Sequence, residues 1–362
     1  MGSNPIGSSN KKYTGKSMEN INKESFEQLY NRLYNENFNE LEEIRKKNAK
    51  AIKKVLTIVG IILGSFLLFE ILSAIGIINI GRNDSITDSQ VLFIVAFAFS
   101  VPVLVIIIAI ITIVILKVPK KQVADSKENN ENVSYMDIFK QKVISPIIKN
   151  VLVNSEYYYN VGLTKEEYNE GAWERYDRYD SEDKIVTDIN IGENKEIKSK
   201  LIMSEIHTQD RRRDSDGDTH YVTMFHGLAG YIKLPKDIGC YLKVVKNQFN
   251  LFGFSNDKLE MDMTEFEKMF DVETDDKIKA MQILTVDIMN ELIELVNASK
   301  VRFEFYINHD MMHIRFHTGE VFEPVIFGKS MQLERLKKYF DIVTSIKNIT
   351  EHICNITINT EL

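Results

Sequence analysis

The chain has 362 residues, 44% of them hydrophobic, with 45 Lys and Arg against 52 Asp and Glu and a net charge of -7. This composition excludes a disordered chain and a collagen-like one, and the acidic balance speaks against a nucleic-acid partner, which needs a basic face. Cys240 and Cys354 stand in no metal-ligand or redox spacing and read as free thiols, so neither a disulfide scaffold nor a structural zinc site is expected.

Residues 1–23 are rich in Gly, Ser, Asn and Lys, show no apolar period, and read as a disordered tail. Residues 24–54 read as a cytosolic amphipathic helix. It opens with the capping box Ser25-Phe26-Glu27-Gln28 and carries Phe26, Tyr30, Leu33, Phe38, Leu41 and Ile44 mostly on one face. Two apolar runs follow, Val55 to Ile80 with the single charge of Glu70 and Val91 to Leu116 with none. Each is long enough to cross a hydrocarbon layer of about 30 Å at ~1.5 Å per residue. Arg45, Lys46, Lys47, Lys50, Lys53 and Lys54 precede the first run and Lys117, Lys120 and Lys121 follow the second, whereas 81–90 holds only Arg82 with Asp84 and Asp88. By the positive-inside rule both termini are cytoplasmic and 81–90 is a short outside loop. The expectation is a membrane-anchored, multi-pass protein with a two-helix transmembrane hairpin and the lipid bilayer as partner. Gly60 and Gly64 form a GxxxG pattern, which lets a second helix approach closely, either the second span or another copy of the chain in a homo-oligomer.

A polar linker, 117–133, leads to a cytosolic α+β domain, 134–362, of antiparallel strands with packed helices. Its first helix, from about Ser134, has Met136, Phe139, Val143, Ile147 and Val151 on one face and is bent at Pro146. Thr164-Lys165-Glu166-Glu167 is a second capping box. Leu201 to His207 and Tyr221 to Phe225 read as strands on either side of an Asp216-Gly217 turn, and Tyr241 to Val245 as another. A helix from about Thr285 presents Ile288, Leu292 and Leu295. Next, Val301, Phe303, Phe305 and Ile307, then Met312, Ile314 and Phe316, alternate with polar residues. That predicts a hairpin around His309-Asp310 with Phe303 opposite Phe316, Phe305 opposite Ile314, and Glu304 opposite Arg315 on a solvent face. A long helix from Met331 to about Cys354 closes the chain.

Several site templates fail on spacing. His309, His313 and His317 recur every four residues, but on a strand His313 and His317 lie roughly 13 Å apart, too far to share an ion. Asp214-Ser215-Asp216-Gly217-Asp218 has Thr219 and Phe225 where a calcium loop needs Gly and Glu, and reads as a turn. Phe322-Glu323-Pro324 reads as a strand end, and no phosphate-binding glycine loop, nucleophile elbow or HExxH is present. No catalytic residue, metal ligand or cofactor is assigned. The densest polar and aromatic group is Tyr176, Asp177, Arg178 and Asp183, with Glu205 and His207 on a neighbouring strand pattern. These six are expected to form the contact surface of a sensor or scaffold domain for a cytosolic protein or small ligand. The alternative is a membrane-tethered hydrolase in which Glu205 and His207 transfer protons beside the Asp177 group.

The same region carries a family resemblance. Tyr176-Asp177-Arg178-Tyr179 with Glu182-Asp183, Ser204-Glu205-Ile206-His207, Phe225-His226-Gly227-Leu228, Ile283-Leu284-Thr285 with Met289, and Phe322-Glu323-Pro324 follow one another along more than 200 residues. Through them the chain from Phe139 onward resembles a family of bacterial membrane proteins known only as domain of unknown function 3137. The resemblance implies an uncharacterised bacterial inner-membrane protein and supplies no activity.

Overall fold

The computed structural model of the chain describes residues 24–80, 135–152, 154–192, 197–247 and 258–359. Helix α1 (Phe26–Ile80) starts where the capping box places it: the Ser25 hydroxyl accepts from the Gln28 N–H at 3.3 Å, and the Gln28 side chain accepts from the Ser25 N–H at 3.0 Å. Leu29, Leu33 and Leu41 of α1 are fully buried. Arg45 donates to the Ile326 carbonyl at 3.0 Å, and Glu42 accepts from the Ser330 N–H at 3.1 Å. The apolar face of this arm is therefore covered by the domain itself.

Helix α1 continues through Val55–Ile80, but among the described residues no helix is long and apolar enough to cross a membrane. This overturns the expected two-helix transmembrane hairpin, the membrane-anchored fold class and the multi-pass inner-membrane location. The physical reason is that the helix is held on protein by its first half. The Val55–Ile80 run continues the helix whose first half is charged and packed on protein, as expected of an arm running into it, and the whole is an amphipathic helix docked on the domain rather than a span. The second run, Val91–Leu116, lies outside the described residues, as do the tail 1–23, the loop 81–90 and the linker 117–133. Gly60 and Gly64 are exposed on α1, and a Cβ at either would meet nothing within 4 Å.

Helix α2 (Tyr135–Phe139) passes into a π turn (Lys140–Ile144) and then into α3 (Ser145–Val151). Pro146 has no N–H, and its ring crowds the carbonyl one turn back. The turn just before it widens, and the Ser145 N–H reaches back five residues to the Lys140 carbonyl. With this widening Phe139, Lys140, Val143 and Ile144 all lie inside the protein.

The strands are β1 (Glu156–Tyr158), β2 (Arg178–Ile191), β3 (Ile197–Arg213), β4 (Thr219–Lys233), β5 (Tyr241–Lys246), β6 (Lys258–Leu259), β7 (Phe270–Thr274), β8 (Phe303–Asn308) and β9 (Met311–Phe316). Among the described residues they form one antiparallel sheet in the order β1-β2-β3-β4-β9-β8-β5-β7-β6. The remaining helices are α4 (Lys165–Asn169), α5 (Thr264–Met269), α6 (Lys277–Ile283), α7 (Val286–Ser299) and α8 (Leu333–Asn359). Both bonds of the Thr164 capping box are made, and the Thr285 hydroxyl accepts from the Ile288 N–H to start α7. The two strand segments read around Asp216-Gly217 are parts of 17- and 15-residue strands. At ~3.3 Å per residue each is roughly 50 Å long. Gly217, at φ +89°, makes their turn, and the Asp218 N–H donates to the Asp214 carboxylate at 2.9 Å.

One face of the sheet, with Met203, Leu228, Phe305 and Ile314, shares a core with α1, α2, α3, α7 and α8. The other face is partly covered by the segment 163–176, whose Leu163, Tyr168 and Trp173 pack on Ile206, Phe225 and Ala229. That second cover corrects one expectation. The β8–β9 register is as read, with Glu304 opposite Arg315, but the pair is not solvent-facing. Glu304 is 3% exposed and Arg315 5%. Arg315 Nε lies 2.5 Å from Glu304, Arg315 Nη1 lies 2.7 Å from Glu174, and the guanidinium sits 4.4 Å from the Trp173 ring. Against the opposing effect of burial, the His317 hydrogen bond and the Arg315 charge hold the Glu304 carboxyl down at about 2.

Phe305→Ala should cost about 3–5 kcal/mol, as for other fully buried aromatics. Glu304→Ala should cost a similar ~3–5 kcal/mol, because it removes the more deeply buried of the two carboxylates that face a buried guanidinium. Urea unfolding of both variants checks this; a loss under about 1 kcal/mol at Glu304 would mean the pair behaves as an exposed one.

Candidate functional site

Three irregular pieces of backbone meet beneath the helix-covered face. The π turn supplies Lys140. A bulge in β2, where the register to β3 skips between Glu182 and Ile185, supplies Asp183 at φ +58°. The loop after β9 supplies Glu323. Holding an L-residue at positive φ costs about 1–2 kcal/mol, less for Asp, whose short side chain finds local partners. Here Asp183 is fully buried with Lys140, which is 1% exposed. Lys140 Nζ lies 2.7 Å from Asp183, 2.7 Å from Glu323 and 3.4 Å from Glu182. The Tyr157 hydroxyl donates to the other oxygen of Asp183. Against the lowering effect of burial, the Asp183 and Glu323 carboxylates hold the Lys140 ammonium above its ordinary value. Burial in turn raises Asp183 and Glu323, and Lys140 opposes that rise.

Next to this ion cluster lies a neutral pair. Glu205, the cross-strand partner of Glu182, is 5% exposed. Its Oε2 accepts from the Val321 N–H at 3.1 Å, and its Oε1 is 3.3 Å from His226 Nε2. Burial, with the charges of Asp183, Glu182 and Glu323 adding to it, pushes the Glu205 carboxyl up to about 9. Burial and the adjacent His207 lower His226. At neutral pH both shifts favour the uncharged forms, and Glu205 Oε1 and His226 Nε2 share one hydrogen bond. The His207 ring stacks on His226 at 4.4 Å, and His207 Nε2 is 3.0 Å from the Thr223 hydroxyl.

The six residues singled out in the sequence divide among three places. Asp183, Glu205 and His207 fall in or beside the cluster. Asp177 and Arg178 lie at the start of β2, where the Asp177 carboxylate accepts from the Arg211 N–H at 2.8 Å and the Arg178 guanidinium covers the Tyr221 ring at 3.4 Å. Tyr176 packs on the opposite face against Tyr168 and Tyr179 and donates to Asn169 at 2.6 Å. Lys140, Glu323 and His226 were missed. Lys140 left one signal, a lysine between Phe139 and Val143 on the apolar side of its helix. Phe322-Glu323-Pro324 is not a strand end: β9 stops at Phe316, and Phe322 is buried in a loop at φ +64°.

Glu182, Asp183 and Glu323 offer oxygens within 4.8 Å of one another, close enough to hold a metal ion. Lys140 already places a cation against all three, so a divalent ion would have to displace a buried ammonium. As arranged, the site can hold a proton on Glu205 beside His226. It presents no activated nucleophile.

Residues 223–354 match the family described as Protein of unknown function (DUF3137). The resemblance read from the sequence holds for this segment, which runs from β4 into α8 and includes His226, Glu304, Arg315 and Glu323; the two-span membrane character does not come with it. No curated protein and no solved structure matches the chain.

A carboxyl whose folded value is raised stabilises the fold while protonated and loses that contribution as pH rises. Between the unfolded value of 4.5 and about 9, Glu205 should therefore lower stability with increasing pH. Glu205→Gln keeps the neutral shape and should remove a slope of up to about 1.4 kcal/mol per pH unit. The variant should gain on the parent protein from pH 5 to pH 8 in urea unfolding; parallel pH profiles would show that Glu205 is ionised in the fold.

Proposed function

We propose that the domain works by binding, as a sensor or scaffold module, and that its contact surface is the uncovered stretch of β2, β3 and β4 beside the ion cluster. The supporting observation is that these three strands outrun the helices. By register, Asp180 faces His207 and His207 faces His226, while Arg178 faces Gln209 and Gln209 faces Thr223. Alternation puts Arg178, Asp180, Glu182, His207, Tyr221 and His226 on one side, with Arg178, Asp180 and Tyr221 exposed. This strip carries both signs of charge and two imidazoles on a rigid sheet, and its Arg178 and Tyr221 are of the residue types enriched at protein interfaces. Asp177 supports its outer end through Arg211, and Tyr176 supports it from the opposite face.

The hydrolase reading rests on the Glu205–His226 pair alone. Glu205 is nearly sealed from solvent, and its carboxylate neighbours are spent on Lys140, which favours a structural proton over a catalytic one.

A photo-cross-linking residue at Asp180 should trap a partner in the native extract, while the same group at Ile278, 72% exposed on α6, should not. Arg178→Ala with His207→Ala should abolish the adduct without shifting the melting temperature. Equal adducts from both positions, or an adduct indifferent to the double variant, would contradict the proposal. Turnover of a phosphoester, peptide or amide that is lost in Glu205→Gln would put the hydrolase in its place.

A further inference from the structure

At the other end of the sheet a cavity of about 130 Å³ opens where β5, α5, β7, α7 and β8 meet. Its floor is apolar: Phe303 and Phe270 are 1% and 4% exposed, their rings 5.8 Å apart, and Val296 of α7 closes one side. Its rim is cationic. Lys268 lies in the last turn of α5 and Arg302 precedes β8, both exposed, and Asn247 directly follows β5. No carboxylate is among the described residues that line the cavity. This is unusual ground in a chain with more acidic than basic side chains. The backbone around it is fixed: the Asn247 N–H donates to the Met269 carbonyl at 3.0 Å, and the Arg302 carbonyl accepts from the His317 N–H at 2.9 Å.

We infer that this cavity is a binding site for a small amphipathic anion, a carboxylate head with a short apolar tail. The tail would lie on Phe303, Phe270 and Val296, where burial removes apolar surface from water. The head would be held by Arg302 and Lys268, with the planar guanidinium matching a carboxylate through two parallel N–H donors. Among the described residues neither cation forms an ion pair with a side chain of the protein. Size limits the ligand: at about 10–15 Å³ of accessible volume per water-sized group, the cavity holds on the order of ten such groups, the bulk of an eight-carbon acid. The site is independent of the β2–β4 contact surface and stands or falls separately from it.

Titration calorimetry of the full chain with octanoate at low salt tests the inference. Octanoate should saturate a single site, and n-octylamine, with the same tail and the opposite charge, should not bind. Lys268→Gln with Arg302→Gln should weaken octanoate by about tenfold or more, the loss expected for charge-assisted hydrogen bonds, and leave the melting temperature unchanged. Val296→Phe, which fills the cavity and keeps both cations, should also weaken it. Octanoate that fails to saturate, octylamine that binds as tightly, or affinity untouched by the double charge removal would each overturn the assignment.

Discussion

The buried ammonium of Lys140 is the constraint on which the rest of the site depends. A charge taken out of water is tolerable only with close opposite charges and satisfied donors, and Lys140 meets that condition through Asp183 and Glu323, each at 2.7 Å. Each partner comes from backbone that regular secondary structure would not place there. The π turn before Pro146 turns the lysine inward, and the β2 bulge adds the residue that brings Asp183 beside it. The loop that carries Glu323 also supplies the Val321 N–H to Glu205. Breaking the ion cluster would therefore loosen three elements and the neutral Glu205–His226 pair together.

The sheet thus holds two buried polar centres on opposite faces. Lys140 with its carboxylates lies under the helices, and Glu304–Arg315–Glu174 lies under the segment 163–176. Such pairs are poor sources of net stability, since desolvation offsets most of the Coulomb attraction. Their consequence here is positional. Arg315 pins the covering segment through Glu174 and Trp173, and Lys140 pins the bulge at the point where helix cover ends and the exposed strip begins. A rigid edge at that point keeps Arg178, Asp180 and His207 in a fixed row.

Local signals were legible in the sequence, and long-range ones were not. Both capping boxes, the Asp216-Gly217 turn and the β8–β9 register follow from near-neighbour chemistry, and each is formed. The solvent face assigned to Glu304 failed because the segment that covers it lies over 100 residues earlier in the chain. The transmembrane hairpin failed because apolar length alone does not establish a span: among the described residues no helix is long and apolar enough to cross a membrane. Half of the polar site was visible as Asp183, Glu205 and His207. Lys140, Glu323 and His226 come from three other elements, and only the tertiary fold brings them to the same place. A π turn and a loop leave no period in the sequence, which is why Lys140 and Glu323 were the hardest to find.

The most direct test of the account is a double-mutant cycle between Lys140→Met and Asp183→Asn, read by urea unfolding at pH 7. If the two side chains form the buried pair that anchors the site, the double variant will lose less than the sum of the single losses, by about 1–3 kcal/mol. Single losses that add to within about 0.5 kcal/mol would show that Lys140 and Asp183 act independently, and the ion cluster could not then be what holds the three elements together.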